Sequence, residues 1–261
     1  MAHGIFFEMQ PYHVNNPDAY RDASGYFSHI TFAAPGNSFS DLGSDNDKDS
    51  GNFRFRYHDI KTTADWAFDK GNMMVYLGEE ARWDLCGTEQ RVGQFDVKVL
   101  SGNPSVVTNS SEKAATLHLG MIFSHKSAVP PDIRFGGKLS AVFENSIYTT
   151  KVDHVMTAVG DLTIAGNNAP SELWFMENGS WAHATNVTVN GVGKMKIANP
   201  NALGKRANLS LASNSSLEIA SGVTVQVRTL TVGGVQKPNG DYTFGSGTLR
   251  VFKPGTVVSV K

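Results

Sequence analysis

The sequence predicts an all-β protein: a single parallel β-helix, a solenoid with about 22 residues per turn, behind an irregular N-terminal cap. Three observations point there. Apolar–polar–apolar triplets recur between Leu162 and Val232: Leu162/Ile164, Leu173/Phe175, Val187/Val189, Met195/Ile197, Leu209/Leu211, Leu217/Ile219 and Leu230/Val232. Such alternation marks strands with one buried face. Their spacing is regular, since Leu173, Met195 and Leu217 fall 22 residues apart, as do Val187 and Leu209, with Thr231 at the next interval. Short strands at a fixed period near 20 residues signify stacked turns. The composition agrees, because aliphatic, Gly, Ser, Thr and Asn residues dominate and charges are few.

The 261 residues can bury a sizeable core, and no linker divides them, so one domain is expected over 1–261. Within it, 1–70 reads as capping and first turns, and 72–261 as regular solenoid. The net charge of −1 and the small clusters Lys194/Lys196 and Lys205–Arg206 give no nucleic-acid footprint. A single cysteine, Cys86, excludes an internal disulfide framework and a Cys-rich zinc site. No apolar run is long enough to span a membrane. The opening MAHGIFFEMQ lacks a basic n-region and a long apolar h-region, so it does not read as a signal peptide. Either the protein is intracellular or the chain is a mature or excised piece of a longer, secreted or cell-surface protein; the second is the expectation, with the chain itself a monomer.

Residues 1–30 are irregular and aromatic-rich, and Phe6, Phe7, Tyr12, Tyr20 and Tyr26 are expected to cover the open end of the solenoid. Ser28–Ala34 and Asn52–Ile60 alternate like strands, with the polar loop SDLGSDNDKDSGN between them. Thr62–Lys70 fits either one helical turn or a strand. From Asn72 the solenoid pattern is clear, and Phe95, Leu117 and Leu139 are again 22 apart. After Val232 a Pro-Asn-Gly turn and two last strands follow, with the final segment expected to cap the C-terminal end.

The stretch LGEEARWDLCGTEQRVGQF, followed by SGNPSVVTNSSEKAATLHLG, resembles the autotransporter-associated β-strand repeat of bacterial secreted proteins. The matching elements are Trp83-Asp84-Leu85-Cys86-Gly87, Gln90-Arg91-Val92-Gly93, Val107-Thr108-Asn109 and Thr116-Leu117-His118-Leu119. Cys86 stands where the repeat usually has Asn. LTVGGVQKPNGDYT also resembles the end of such domains. The resemblance implies a right-handed parallel β-helix, a fold shared by autotransporter passengers, pectate-lyase-like enzymes and some xylan-binding modules of plant-polysaccharide hydrolases. It carries little about activity.

In such a fold, turns stack about 4.8 Å apart and alternate side chains point inward. Leu173/Phe175, Met195/Ile197 and Leu217/Ile219 should form internal ladders, each buried side chain contributing roughly 1.5–3 kcal/mol. Asn186 and Asn208 share one phase and should form a corner ladder that bonds turn backbone. Trp83 should be core; Trp66 and Trp181 are undetermined.

The same alternation turns Trp174 outward, with Lys196 and Glu218 in its column. A solvent-facing indole among polar side chains suits stacking on a sugar ring. Tyr76, His118 and Arg134 occupy like outward positions, and together these residues would make an elongated row for an extended glycan. Asp45, Asp47 and Asp49 form a D-x-D-x-D run that could hold Ca²⁺, but Ser50 and Arg56 replace the turn Gly and bidentate Glu of an EF-hand loop, so a solvated loop is the better reading. For catalysis, Glu79–Glu80, Glu172, Glu177, Arg82, Arg134 and Lys196 are available, but no spacing unites them, and no hydrolase, phosphate-loop or metalloprotease motif occurs. The leading expectation is a non-catalytic module that binds a polysaccharide such as xylan and targets an attached catalytic domain. A structural or adhesive passenger segment and a β-helical lyase or hydrolase are the alternatives.

Overall fold

The computed structural model describes residues 28–33, 52–56, 58–67, 74–78, 81–98, 104–124, 133–144, 149–166 and 171–252. Among these there is no helix, and parallel strands stack into a β-solenoid of about seven turns, equivalent positions lying about 23 residues apart. The expected aromatic cap over 1–27 and the Asp45, Asp47, Asp49 run lie outside the described residues.

The early strands are β1 (Ser28–Phe32), β2 (Asn52–Arg56), β3 (His58–Thr62), β4 (Met74–Gly78), β5 (Arg82–Asp84), β6 (Glu89–Lys98), β7 (Ser105–Thr108) and β8 (Ala115–Ser124). The middle turns supply β9 (Ile133–Phe135), β10 (Leu139–Glu144), β11 (Thr149–Val152), β12 (Leu162–Gly166), β13 (Glu172–Phe175), β14 (Asn186–Gly191), β15 (Lys194–Ile197), β16 (Asn208–Leu211) and β17 (Ser216–Ile219). The last are β18 (Thr224–Val227), β19 (Thr229–Val232), β20 (Val235–Gln236), β21 (Gly240–Phe244) and β22 (Gly247–Val251). Thr62 thus ends a strand, and Ala64–Trp66 form a turn rather than a helix.

One face is the sheet β1-β3-β5-β7-β9, continued by the bridges Val155↔Ser180 and Trp181↔Leu203. A second runs from the first halves of β6 and β8 through β10, β12, β14, β16 and β19. A third is β11-β13-β15-β17, while β2 and β4 pair in register with the second half of β6. The ten-residue β6 and β8 keep one register along their length, Glu89–Val92 pairing with Thr116–Leu119 and Gln94–Val97 with Met121–Ser124 on either side of Gly93 and Gly120.

That length changes one expected column. Phe95 does not align with Leu117 and Leu139: it pairs with Val75 and Ile122, whereas Leu117 pairs with Gln90 and Ala141, and Leu139 with Ala115. A constant count fails where a turn carries extra strand. The column Leu173–Met195–Leu217 holds, as does Val187–Leu209, but Leu230 continues the latter and Thr231 lies outside beside Ser210. Inward side chains along these columns are almost fully buried. Trp83 is core, its indole N–H donating to the Thr62 hydroxyl at 3.3 Å, and Trp181 is core too, stacked on Phe135 at 5.7 Å between centroids.

Corners hold polar ladders. Asn208 Nδ2 donates to Asn186 Oδ1 at 3.1 Å, Asn186 Nδ2 to Asp161 Oδ1 at 3.0 Å, and the Thr229 hydroxyl to Asn208 Oδ1 at 2.9 Å. The expected ladder is present, linked mainly side chain to side chain. Elsewhere Asn109 does bond turn backbone: its Oδ1 accepts from the N–H groups of Gly87 and Ser111, and its Nδ2 donates to the carbonyls of Lys113 and Lys138. Asp84 similarly accepts from the N–H groups of Cys86 and Ser110 and from the Ser110 hydroxyl, and against burial, which is the largest single influence, these bonds, the hydroxyl's foremost, hold its carboxyl below its ordinary range.

Cys86 lies at φ 47°, in the left-handed region that L side chains avoid and Asn or Gly tolerates. Cys86→Gly or Cys86→Asn should stabilise the protein by about 0.5–1 kcal/mol, seen as a higher thermal midpoint; an unchanged or lower midpoint in both variants would show that the turn carries no strain.

Candidate functional site

The predicted glycan row separates onto different faces. Trp174, Lys196 and Glu218 do form one outward column, joined by Lys151 on β11. Trp174 is half-buried, and the Lys151 ammonium lies 5.2 Å from its ring centroid. Lys196 Nζ sits 3.1 Å from Glu172 Oε1 and 3.9 Å from Glu218 Oε2, and its pKa is raised chiefly by the bond to Glu172. The column is an ion-paired ladder with an indole inserted in it. Tyr76 is on β4, opposite Arg54 and Asp96; Arg134 is on β9, opposite Val106. His118 is on β8, on the second face. No described strand pairing joins these three to Trp174, because an outward position is shared only by strands of the same face.

A different constellation assembles around His118. Its Nε2 lies 2.9 Å from Glu89 Oε1 and its Nδ1 2.9 Å from Glu144 Oε1, and Arg91 Nη2 reaches the same Glu144 oxygen at 3.2 Å. Arg91 and His118 are register partners on adjacent turns. Beside them stands Trp66, its ring centroid 5.8 Å from that of His118, with the Arg91 guanidinium carbon 5.6 Å from the indole centroid. Cation–π contact of this kind fixes a ring without burying it, and Trp66 remains 36% exposed, whereas the His118 side chain is only 14% exposed.

The sequence holds Trp66 there through its neighbours. Trp66 N–H donates to the Glu89 carbonyl at 2.8 Å, and Glu89 N–H donates to Asp65 Oδ1 at 2.8 Å. Buried Gln90 clamps the turn from inside, its Nε2 donating to the Ala64 carbonyl at 2.8 Å and its Oε1 accepting from Ala67 N–H at 2.9 Å. These bonds keep Trp66 at φ 56°, a costly conformation for a bulky residue. Strain retained against its cost is a pointer to function.

The electrostatics follow from the contacts. The Glu144 hydrogen bond raises the His118 pKa above its ordinary 6.5, against burial, and Glu89 adds to it. The same bond holds the Glu144 carboxyl below its ordinary 4.5. With His118 protonated, two carboxylates face two cations and the cluster is charge-balanced. Among the described residues no group of three potential ligands could hold a metal ion. No family model, curated protein or solved structure matches this chain.

Sequence reading missed this cluster because Trp66, Glu89, Arg91, His118 and Glu144 lie on turns of unequal length. The usable signal was the Gln90-Arg91-Val92 step aligned strand to strand with Leu117-His118-Leu119, which the fixed count obscured.

The cluster makes stability depend on pH. His118 has a raised pKa in the folded chain, so its contribution is complete below its ordinary value and is lost as pH rises through the folded one. Glu144 has a lowered pKa, so its contribution is present above its ordinary value and is lost as pH falls through the folded one. Both act together between roughly 4.5 and 6.5. Urea unfolding followed from acid to alkaline pH should show stability declining above that window, and His118→Gln should flatten the decline. An equal decline in the variant would refute the assignment.

Proposed function

We propose that this protein is a non-catalytic carbohydrate-binding module for an extended, neutral polysaccharide of the xylan type, working beside a catalytic domain of a secreted bacterial hydrolase. The observation that carries the reading is Trp66. It is an exposed indole held in a strained left-handed turn, with a guanidinium against its ring and a carboxylate network beside it. Sugar rings stack their C–H faces on such a platform, and Glu89, whose side chain is 45% exposed, offers an acceptor for sugar hydroxyls. The balanced charges favour a neutral chain over a uronate at this position. Trp174, the sequence-based candidate, is the weaker platform because it is half-buried in a regular strand, whereas Trp66 is exposed.

The electrostatics disfavour glycoside hydrolysis at the same cluster. That chemistry needs one carboxyl kept protonated by a raised pKa, whereas His118 holds Glu144 ionised. A passenger or stalk role needs only the solenoid and its ladders, and leaves the strained Trp66 without a purpose.

Affinity electrophoresis against soluble xylan and other neutral polysaccharides tests the reading. Truncating a central binding aromatic costs about 2 kcal/mol, so Trp66→Ala should weaken retardation about 30-fold, while Trp174→Ala should leave it within about twofold of the parent. Absence of retardation on every glycan, or loss in Trp174→Ala alone, would overturn it. Release of reducing ends or unsaturated products would replace it with the enzyme reading.

A further inference from the structure

A concave site lies where the chain enters the second face in the last turns. It is a groove of about 350 Å³ whose lining includes His183, Lys205, Arg206, Asn208 and Arg228. Three successive turns supply these groups. The Trp181↔Leu203 bridge brings the segment after Trp181 alongside that after Leu203, which places His183 and Lys205 at equivalent positions. The Arg228 N–H donates to the Ala207 carbonyl at 2.8 Å, which brings Arg228 alongside from the third turn. Gly204 lets two of these turns approach, since a Cβ there would lie 2.2 Å from the Ala182 carbonyl oxygen.

The lining contains no carboxylate. All four basic side chains are exposed, and among the described residues none of them makes an ion pair. Among the described arginines, Arg91 and Arg250 each face a carboxylate, and Arg206 and Arg228 do not. The chain as a whole carries slightly more acidic than basic residues, so a concave surface whose Asp, Glu, Lys and Arg complement is Lys205, Arg206 and Arg228 alone is not a by-product of composition. Like charges gathered in a groove repel one another and raise the local potential, and a bound anion relieves that.

We propose that this groove binds the charged group of an acidic polysaccharide, a sulfate ester or a uronate carboxylate. Arg206 and Arg228 supply planar donor forks that fit such oxyanions. Lys205 and Asn208 supply further donors, for the anion and for neighbouring hydroxyls. The volume lies within the range of small-ligand sites. A nucleic acid fits less well, because the groove offers no Trp, Tyr or Phe for base stacking and too few cations to neutralise a run of phosphates. The site stands apart from Trp66 and does not depend on the reading given for it.

The test is affinity electrophoresis with dextran sulfate, polygalacturonate, neutral dextran and duplex DNA, using the whole chain. Retardation by dextran sulfate, by polygalacturonate or by both, and not by dextran, is expected; retention by only one of the two acidic polymers identifies sulfate or carboxylate as the group recognised. Arg206→Gln/Arg228→Gln should weaken that retention at least about tenfold, as should raising salt from about 50 to 200 mM. The double variant should keep the parent's melting temperature, and Trp66→Ala should keep the parent's retention. No retardation by either acidic polymer, full retention in the double variant, or tighter retention by DNA than by both acidic polymers would each overturn the proposal.

Discussion

Side-chain amides that bridge one turn to the next are the interaction on which this architecture depends. Parallel strands satisfy their own backbone, but each corner leaves N–H and C=O groups that cannot join a ladder and are costly to bury unpaired. Asn109 satisfies four such groups from three turns, and Gln90 bonds the backbone on both sides of Trp66. Asn199 does the same lower down, donating to the Gly179 carbonyl and accepting from Asn201 N–H. Apolar burial makes the stack favourable; these amides determine where each strand begins and which outward residues become neighbours.

The fold was readable because alternation and spacing are local properties. In the turns that carry Leu173, Met195 and Leu217 the count is constant, so inward columns follow directly from the numbering. The outward column Trp174–Lys196–Glu218 was readable for the same reason. The Trp66 cluster was not, because it depends on β6 and β8, which carry additional residues beyond Gly93 and Gly120. The basic groove escaped for another reason. Lys205 and Arg206 were visible as a pair, but His183 and Arg228 join them only through stacking of irregular corner segments. Chemistry in a solenoid is distributed between turns, so an error of one residue in register scatters a site whose every member is present in the sequence.

The two tryptophans Trp66 and Trp174 show how context decides a residue's use. Trp174 is in a regular strand, where its neighbours above and below are fixed by the ladder and bring Lys151 and Lys196 against it. Trp66 is at a corner, where the chain is free of strand geometry and a left-handed residue can direct its ring outward. Corners vary in length and sequence without disturbing the core, and both candidate binding sites lie where turns enter the second face. The regular faces supply rigidity, and the corners supply recognition.

The reversal of chain direction after β19 has a consequence for self-association. A stack of parallel strands is an open template, and its terminal strand could receive another copy of the molecule and propagate into a filament. Here β20 runs antiparallel to β19 through only two residue pairs, and the chain then leaves through Lys237 and Pro238. Proline cannot donate to a further ladder, and a strand so short and of opposite polarity offers no continuous parallel register. The hairpin thereby limits polymerisation through that sheet edge, so that a chain built from near-repeating turns can remain a discrete molecule.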